Sequence, residues 1–73
     1  MAGKPIRCEV AGKVIRIEAP PGTPVAEGEP ILLIECMKME IPLLAPRAGI
    51  ISAILVGAGE SVAEGQAAAT IES

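Results

Sequence analysis

AGKVIRIEAPPGTPVAEGEPILLIE, residues 11–35, lies without a gap over AGIISAILVGAGESVAEGQAAATIE, residues 48–72, and ten of the twenty-five positions are identical at a constant offset of 37 residues. Ala11-Gly12 falls on Ala48-Gly49, Gly22 on Gly59, Val25-Ala26-Glu27-Gly28 on Val62-Ala63-Glu64-Gly65, and Ile34-Glu35 on Ile71-Glu72. One structural unit is used twice. A unit of this size buries too little apolar surface to offset its own conformational entropy, so the two copies must share one core. The expected organisation is a single domain over residues 1–73, with repeat halves at about 6–36 and 43–73.

Outward from the repeat, short apolar runs alternate with Gly and Pro. The runs Ile6–Val10, Val14–Glu18, Ile31–Cys36, Met39–Leu44, Ile50–Val56 and Ala67–Glu72 read as strands. Ala19-Pro20-Pro21-Gly22-Thr23-Pro24, its counterpart Gly57-Ala58-Gly59-Glu60-Ser61, and the Ala-Glu-Gly corners at Gly28 and Gly65 read as turns. Val25 and Val62 stand isolated between turn signals and imply one very short strand in each copy. About eight short strands in one small domain predict an all-β barrel or sandwich. Residues 31–44 contain no Gly or Pro before Pro42, and local signals alone permit a helix there. The repeat decides against it: Ile71-Glu72, the counterpart of Ile34-Glu35, ends the second copy, so a connection belongs after Cys36. A two-residue hairpin turn at Met37-Lys38 makes that connection, although such turns favour permissive pairs such as Asn-Gly. Lys38 is then displayed at a strained tip.

Composition narrows the chemistry. The chain has no His, Asp, Asn, Phe, Tyr or Trp. Triads built on histidine cannot be assembled, and two cysteines without histidine do not make a four-ligand zinc site, so no metal site is expected. There is no glycine-rich phosphate loop. A net charge of −3 and the absence of aromatic stacking platforms argue against nucleic acid. No apolar stretch reaches membrane-spanning length, and Arg7 and Glu9 interrupt any signal-like segment. The expectation is a soluble, cytoplasmic domain without membrane association, monomeric when isolated, with Cys8 and Cys36 as free thiols. At 73 residues an independent enzyme is not expected.

Met37-Lys38-Met39 at a repeat junction, followed by Ala45-Pro46-Arg47-Ala48-Gly49 and accompanied by the paired Val-Ala-Glu-Gly elements, resembles the biotinyl domain, or biotin carboxyl carrier, family over essentially the whole chain. The resemblance implies a flattened barrel-sandwich of two four-stranded antiparallel sheets with quasi-two-fold symmetry, its modified lysine on a hairpin. It also implies that a biotin protein ligase joins biotin to Lys38 by an amide, and that the tethered biotin carries a carboxyl group from a biotin carboxylase to a carboxyltransferase. Acetyl-CoA, propionyl-CoA and pyruvate carboxylases are parents of this type. On this reading the domain supplies no catalytic residue, and its partners supply the chemistry. Met37 and Met39, flexible and adaptable, are the flanking recognition residues, and Glu35 is a further candidate for ligase recognition. The chain departs from the family pattern in carrying Cys36 where Ala or Ser usually precedes the Met-Lys-Met triplet, and Glu9-Val10-Ala11-Gly12 where many relatives carry a Pro-Met-Pro-Gly-like element.

Three alternatives stay open at this level. Met37 and Met39 could fill core, in which case strand alternation would set both on one face with Lys38 opposite. The cargo could be lipoate on the same fold, where the lysine is typically flanked by Asp and a small residue. The barrel could also be an unmodified interaction module. Glu40 reads best as a solvated charge.

Overall fold

A computed structural model, describing residues 3–73, contains eight strands: β1 Lys4–Arg7, β2 Gly12–Ile17, β3 Pro24–Val25, β4 Pro30–Cys36, β5 Met39–Leu44, β6 Gly49–Ile54, β7 Ser61–Val62 and β8 Ala67–Glu72. They form two four-stranded antiparallel sheets, ordered β1-β8-β6-β3 and β5-β4-β2-β7. The offset of 37 relates every strand of one sheet to a counterpart in the other, added for strands of the first copy and subtracted for those of the second, and the irregularities follow. The β2–β4 register shifts between Val14 and Arg16, and the β6–β8 register shifts between Ile51 and Ala53. The expected barrel-sandwich with internal two-fold symmetry is the observed fold.

Neither half owns a sheet. β3 of the first copy pairs with β6 of the second, and β7 of the second pairs with β2 of the first. The glycine corners fasten this exchange. Gly22 N–H donates to Ile51 O at 2.7 Å and Gly59 N–H donates to Val14 O at 2.7 Å, while Gly28 N–H donates to Ala45 O and Gly65 N–H to Cys8 O. All four glycines have φ between 85° and 91°, a region closed to most side chains. Val25 and Val62, expected as isolated inward side chains, are both buried.

Bulges let consecutive residues face inward, so that Ile31 and Leu32 in β4, and their counterparts Ala68 and Ala69 in β8, are all buried. Large side chains in one copy thus correspond to small ones in the other within one shared core, an interior that has no aromatic ring. No polar or charged side chain is buried among the described residues.

The first strand differs from expectation. It spans Lys4–Arg7 rather than Ile6–Val10, because Cys8 leaves the ladder to bond with Gln66 and Gly65 and the chain then crosses to the other sheet. Ala45 does the same in the second copy, with Glu29 and Gly28 as its partners. Burial raises the Cys8 thiol pKa. Both cysteines are free.

Candidate functional site

The hairpin joining β4 and β5 is built from the pairs Ile34–Ile41, Glu35–Glu40 and Cys36–Met39, which leaves Met37 and Lys38 as a two-residue turn. Their φ angles are 51° and 66°. Positive φ at both central residues defines the primed turn whose twist matches a hairpin. Glycine and asparagine fill such turns at low cost, whereas other L residues are disfavoured there by roughly 1–2 kcal/mol each. They are the only non-glycine residues with positive φ among the described residues. The strain predicted from the sequence is therefore present and confined to the lysine and its neighbour.

Lys38 is exposed, Met37 is 90% exposed and Met39 63% exposed. Neither methionine fills core. Met37 sits in the turn beside Lys38 rather than on a strand, so the expected alternation of both methionines against Lys38 does not arise. Met39 faces Cys36, on the sheet side shared with Ile34 and Ile41. The tip thus presents one amine between two unbranched apolar side chains on an otherwise solvated end.

One step below the tip, on the outer face of the sheet, Glu40 stands opposite Glu35, Glu35 opposite Lys13, and Lys13 opposite Ser61. Facing carboxylates repel, and Lys13 on the far flank of Glu35 offsets that repulsion. Lys13, Glu35 and Glu40 line a shallow concavity of about 330 Å³ together with Val14, Ile15 and Gly59. Further along the face, Arg16 Nε donates to Glu18 at 2.7 Å, and Glu18, with a smaller contribution from Glu40, raises the Arg16 pKa. Sequence reasoning singled out Glu35 but missed Lys13, since nothing local to β2 shows which residue of β4 it will face. No group of three or more ligand-type side chains able to hold a metal occurs among the described residues.

Close backbone approach makes this geometry possible. A Cβ on Gly12 would collide with Glu35 O and lie 2.7 Å from Ile34 Cγ2, and a Cβ on Gly49 would lie 2.5 Å from Glu72 O. Each glycine lets its strand pass over the end of the long strand beside it, one at the Lys38 end and one at the end where Lys4 pairs with Ile71.

Comparison with known proteins places the chain. It is 36% identical over 66 residues to the biotinylated protein TB7.3 homolog of Mycobacterium leprae, covering 90% of this chain and 93% of that one. It is 34% identical to the mitochondrial propionyl-CoA carboxylase alpha chain of Homo sapiens over 92% of this chain, but spans only 9% of that protein. Among solved structures, Kluyveromyces lactis urea carboxylase superposes with a TM-score of 0.91 at 28% identity, over 96% of this chain and 6% of that one. The lipoyl domain of the 2-oxoglutarate dehydrogenase complex of Azotobacter vinelandii superposes with a TM-score of 0.72 at 28% identity, over 88% of this chain and 81% of that one. The model of the biotin/lipoyl family, described as biotin-requiring enzyme, matches residues 1–71, and with relatives of this similarity the chain belongs to that family.

Proposed function

We propose that this chain is a biotin carboxyl carrier domain in which Lys38 holds the biotin. The observation that carries the proposal is the primed turn, which sets one lysine at an exposed tip at the expense of backbone strain. Biotin rather than lipoate is the cargo, because the relatives include proteins named for biotin and biotin carboxyl carriage and the turn lysine is flanked by Met37 and Met39.

The modifying step needs an outside enzyme. An amine attacks an acyl carbon only through a free lone pair. A biotin protein ligase takes up the proton that the amine gives up, and Lys38 Nζ attacks the acyl carbon of biotinyl-adenylate. A C–N amide bond forms, the acyl C–O bond to phosphate breaks, and AMP leaves with the electron pair. The domain is the substrate here, and a convex tip lets a ligase pocket close over the amine. Once attached, the long stem keeps the ureido ring at high local concentration near each partner site. When bound, the biotin would supply the carboxyl-carrying chemistry between a biotin carboxylase and a carboxyltransferase, while the domain itself holds and displays it on Lys38 and supplies no catalytic group. Met37 and Met39 give three different enzymes an apolar rim that can repack against each. The free thiols of Cys8 and Cys36 support a cytoplasmic setting for the carrier, and the isolated domain is taken to be monomeric.

Incubation with a biotin protein ligase, ATP and biotin, followed by intact-mass measurement, tests the cargo. The expected result is the addition of one biotinyl group per chain. Failure to take biotin, with uptake of lipoate from a lipoate ligase instead, would overturn the assignment.

A further inference from the structure

The internal symmetry provides its own control. Beneath the turn, Lys13, Glu35 and Ser61 share their strand pairing with Ile50, Glu72 and Pro24, 37 positions away, so a side chain that differs between these positions is not demanded by the fold. On the outer face the row Glu40, Glu35, Lys13 and Ser61 corresponds to Gly3, Glu72, Ile50 and Pro24. Arg16 and Glu18 correspond to Ala53 and Leu55. The face below Lys38 is charged in alternation, whereas its twin carries Ile50 and Leu55, each about half exposed at 51% and 52%. Solubility alone does not account for this, because it would apply to both faces.

We propose that Lys13 and Glu40, together with Glu35, form the docking row by which the biotin protein ligase grips the domain while Lys38 enters its active site. The inference rests on the reading of Lys38 as the biotin acceptor. Three observations support it. The row crosses the sheet immediately beneath the displayed turn, so a ligase closing over Lys38 must cover it. Its side chains line one concavity rather than pointing apart. Lys13 also holds a definite register against Glu35, which makes the sign pattern fixed: two carboxylates on the β5 side and an ammonium toward β7. The fitting partner is a ligase surface carrying a basic pair set against Glu35 and Glu40 and an acidic group set against Lys13. Exposed charges of this kind govern encounter and orientation more than the chemical step, so their effect belongs in KM.

The experiment compares initial rates of ligase-catalysed biotinylation for the wild-type chain, Lys13→Glu, Glu40→Lys, and the control Glu72→Lys at the symmetry-related row. The expected result is a KM for Lys13→Glu and for Glu40→Lys raised roughly tenfold with kcat retained, a weaker salt dependence, and wild-type kinetics for Glu72→Lys. Thermal melts of all four proteins separate misfolding from recognition, and the milder Lys13→Gln and Glu40→Gln variants should give a smaller rise in KM. Wild-type kinetics in Lys13→Glu and Glu40→Lys, or an equal loss in Glu72→Lys, overturns the docking row while leaving Lys38 as acceptor. A wild-type chain that accepts no biotin overturns the reading beneath it instead.

Discussion

Gly12→Ala is expected to lower stability by about 2–3 kcal/mol, the cost of forcing an atom into packed structure, and to lower Tm by roughly 10–20 °C for a domain of this size. The added methyl would meet Glu35 O and Ile34 Cγ2, which belong to the strand leading to Lys38. Neither can yield cheaply. Glu35 O is backbone in a central strand, and Ile34 is fully buried. Gly49→Ala places the same atom against Glu72 O and Ile71 at the other end. The two substitutions should therefore cost similar amounts in a thermal melt. They should differ in function: at a temperature where both variants are folded, Gly12→Ala distorts the base of the hairpin and slows biotinylation, while Gly49→Ala does not. Equal biotinylation in both would show that the hairpin tolerates displacement of its base.

Replacing Met37-Lys38 by Asn-Gly has the opposite stability sign. Asn and Gly enter the positive-φ region at little cost and are the preferred pair for this turn. The double variant Met37→Asn, Lys38→Gly should gain about 1–2 kcal/mol net, because the relief of strain at two positions is partly offset by the larger chain entropy that glycine loses on folding, and should melt roughly 5–10 °C higher. It must also lose all biotin acceptance. A gain in stability at the residue that defines function is the signature of strain retained for display. An unchanged or lower Tm would mean that the turn is not strained by its side chains, and the display argument would lose its energetic support.

How much of this was legible beforehand depends on the range of the interaction involved. Gly22, Gly28, Gly59 and Gly65 announced their turns because the requirement for positive φ is local. The hairpin at Met37-Lys38 was readable because the second copy ends where the first must turn. The end of β1 was not readable. Cys8 continues an apolar run, and only the amide of Gly65 and the carbonyl of Gln66, far along the chain, draw it out of the ladder. The same offset also relates residues 4–10 to residues 41–47, where only Pro5 and Pro42 are identical, so the repeat halves at about 6–36 and 43–73 extend there by the constant offset and not by matching residues. Backbone geometry preserves that equivalence where side chains do not. Lys13 escaped notice for a related reason: its neighbours Glu35 and Ser61 come from two other strands, one in each copy. The exchange of β3 and β7 between halves creates that neighbourhood, and no local pattern encodes an exchange.

The central claim is that position on the turn, rather than lysine chemistry alone, selects the acceptor. The chain contains three lysines, Lys4, Lys13 and Lys38, and all three are exposed. The most direct test is peptide mapping of the wild-type chain, of Lys38→Arg, and of the transposed variant Met37→Lys, Lys38→Met after reaction with the same ligase. Biotin is expected on Lys38 alone in the wild type, on no lysine in Lys38→Arg despite an unchanged melt, and at least about a hundredfold more slowly when the lysine moves one place along the turn, on the order expected when a reacting group is misplaced. Biotin found on Lys4 or Lys13 in Lys38→Arg, or wild-type labelling of the transposed lysine, would contradict it.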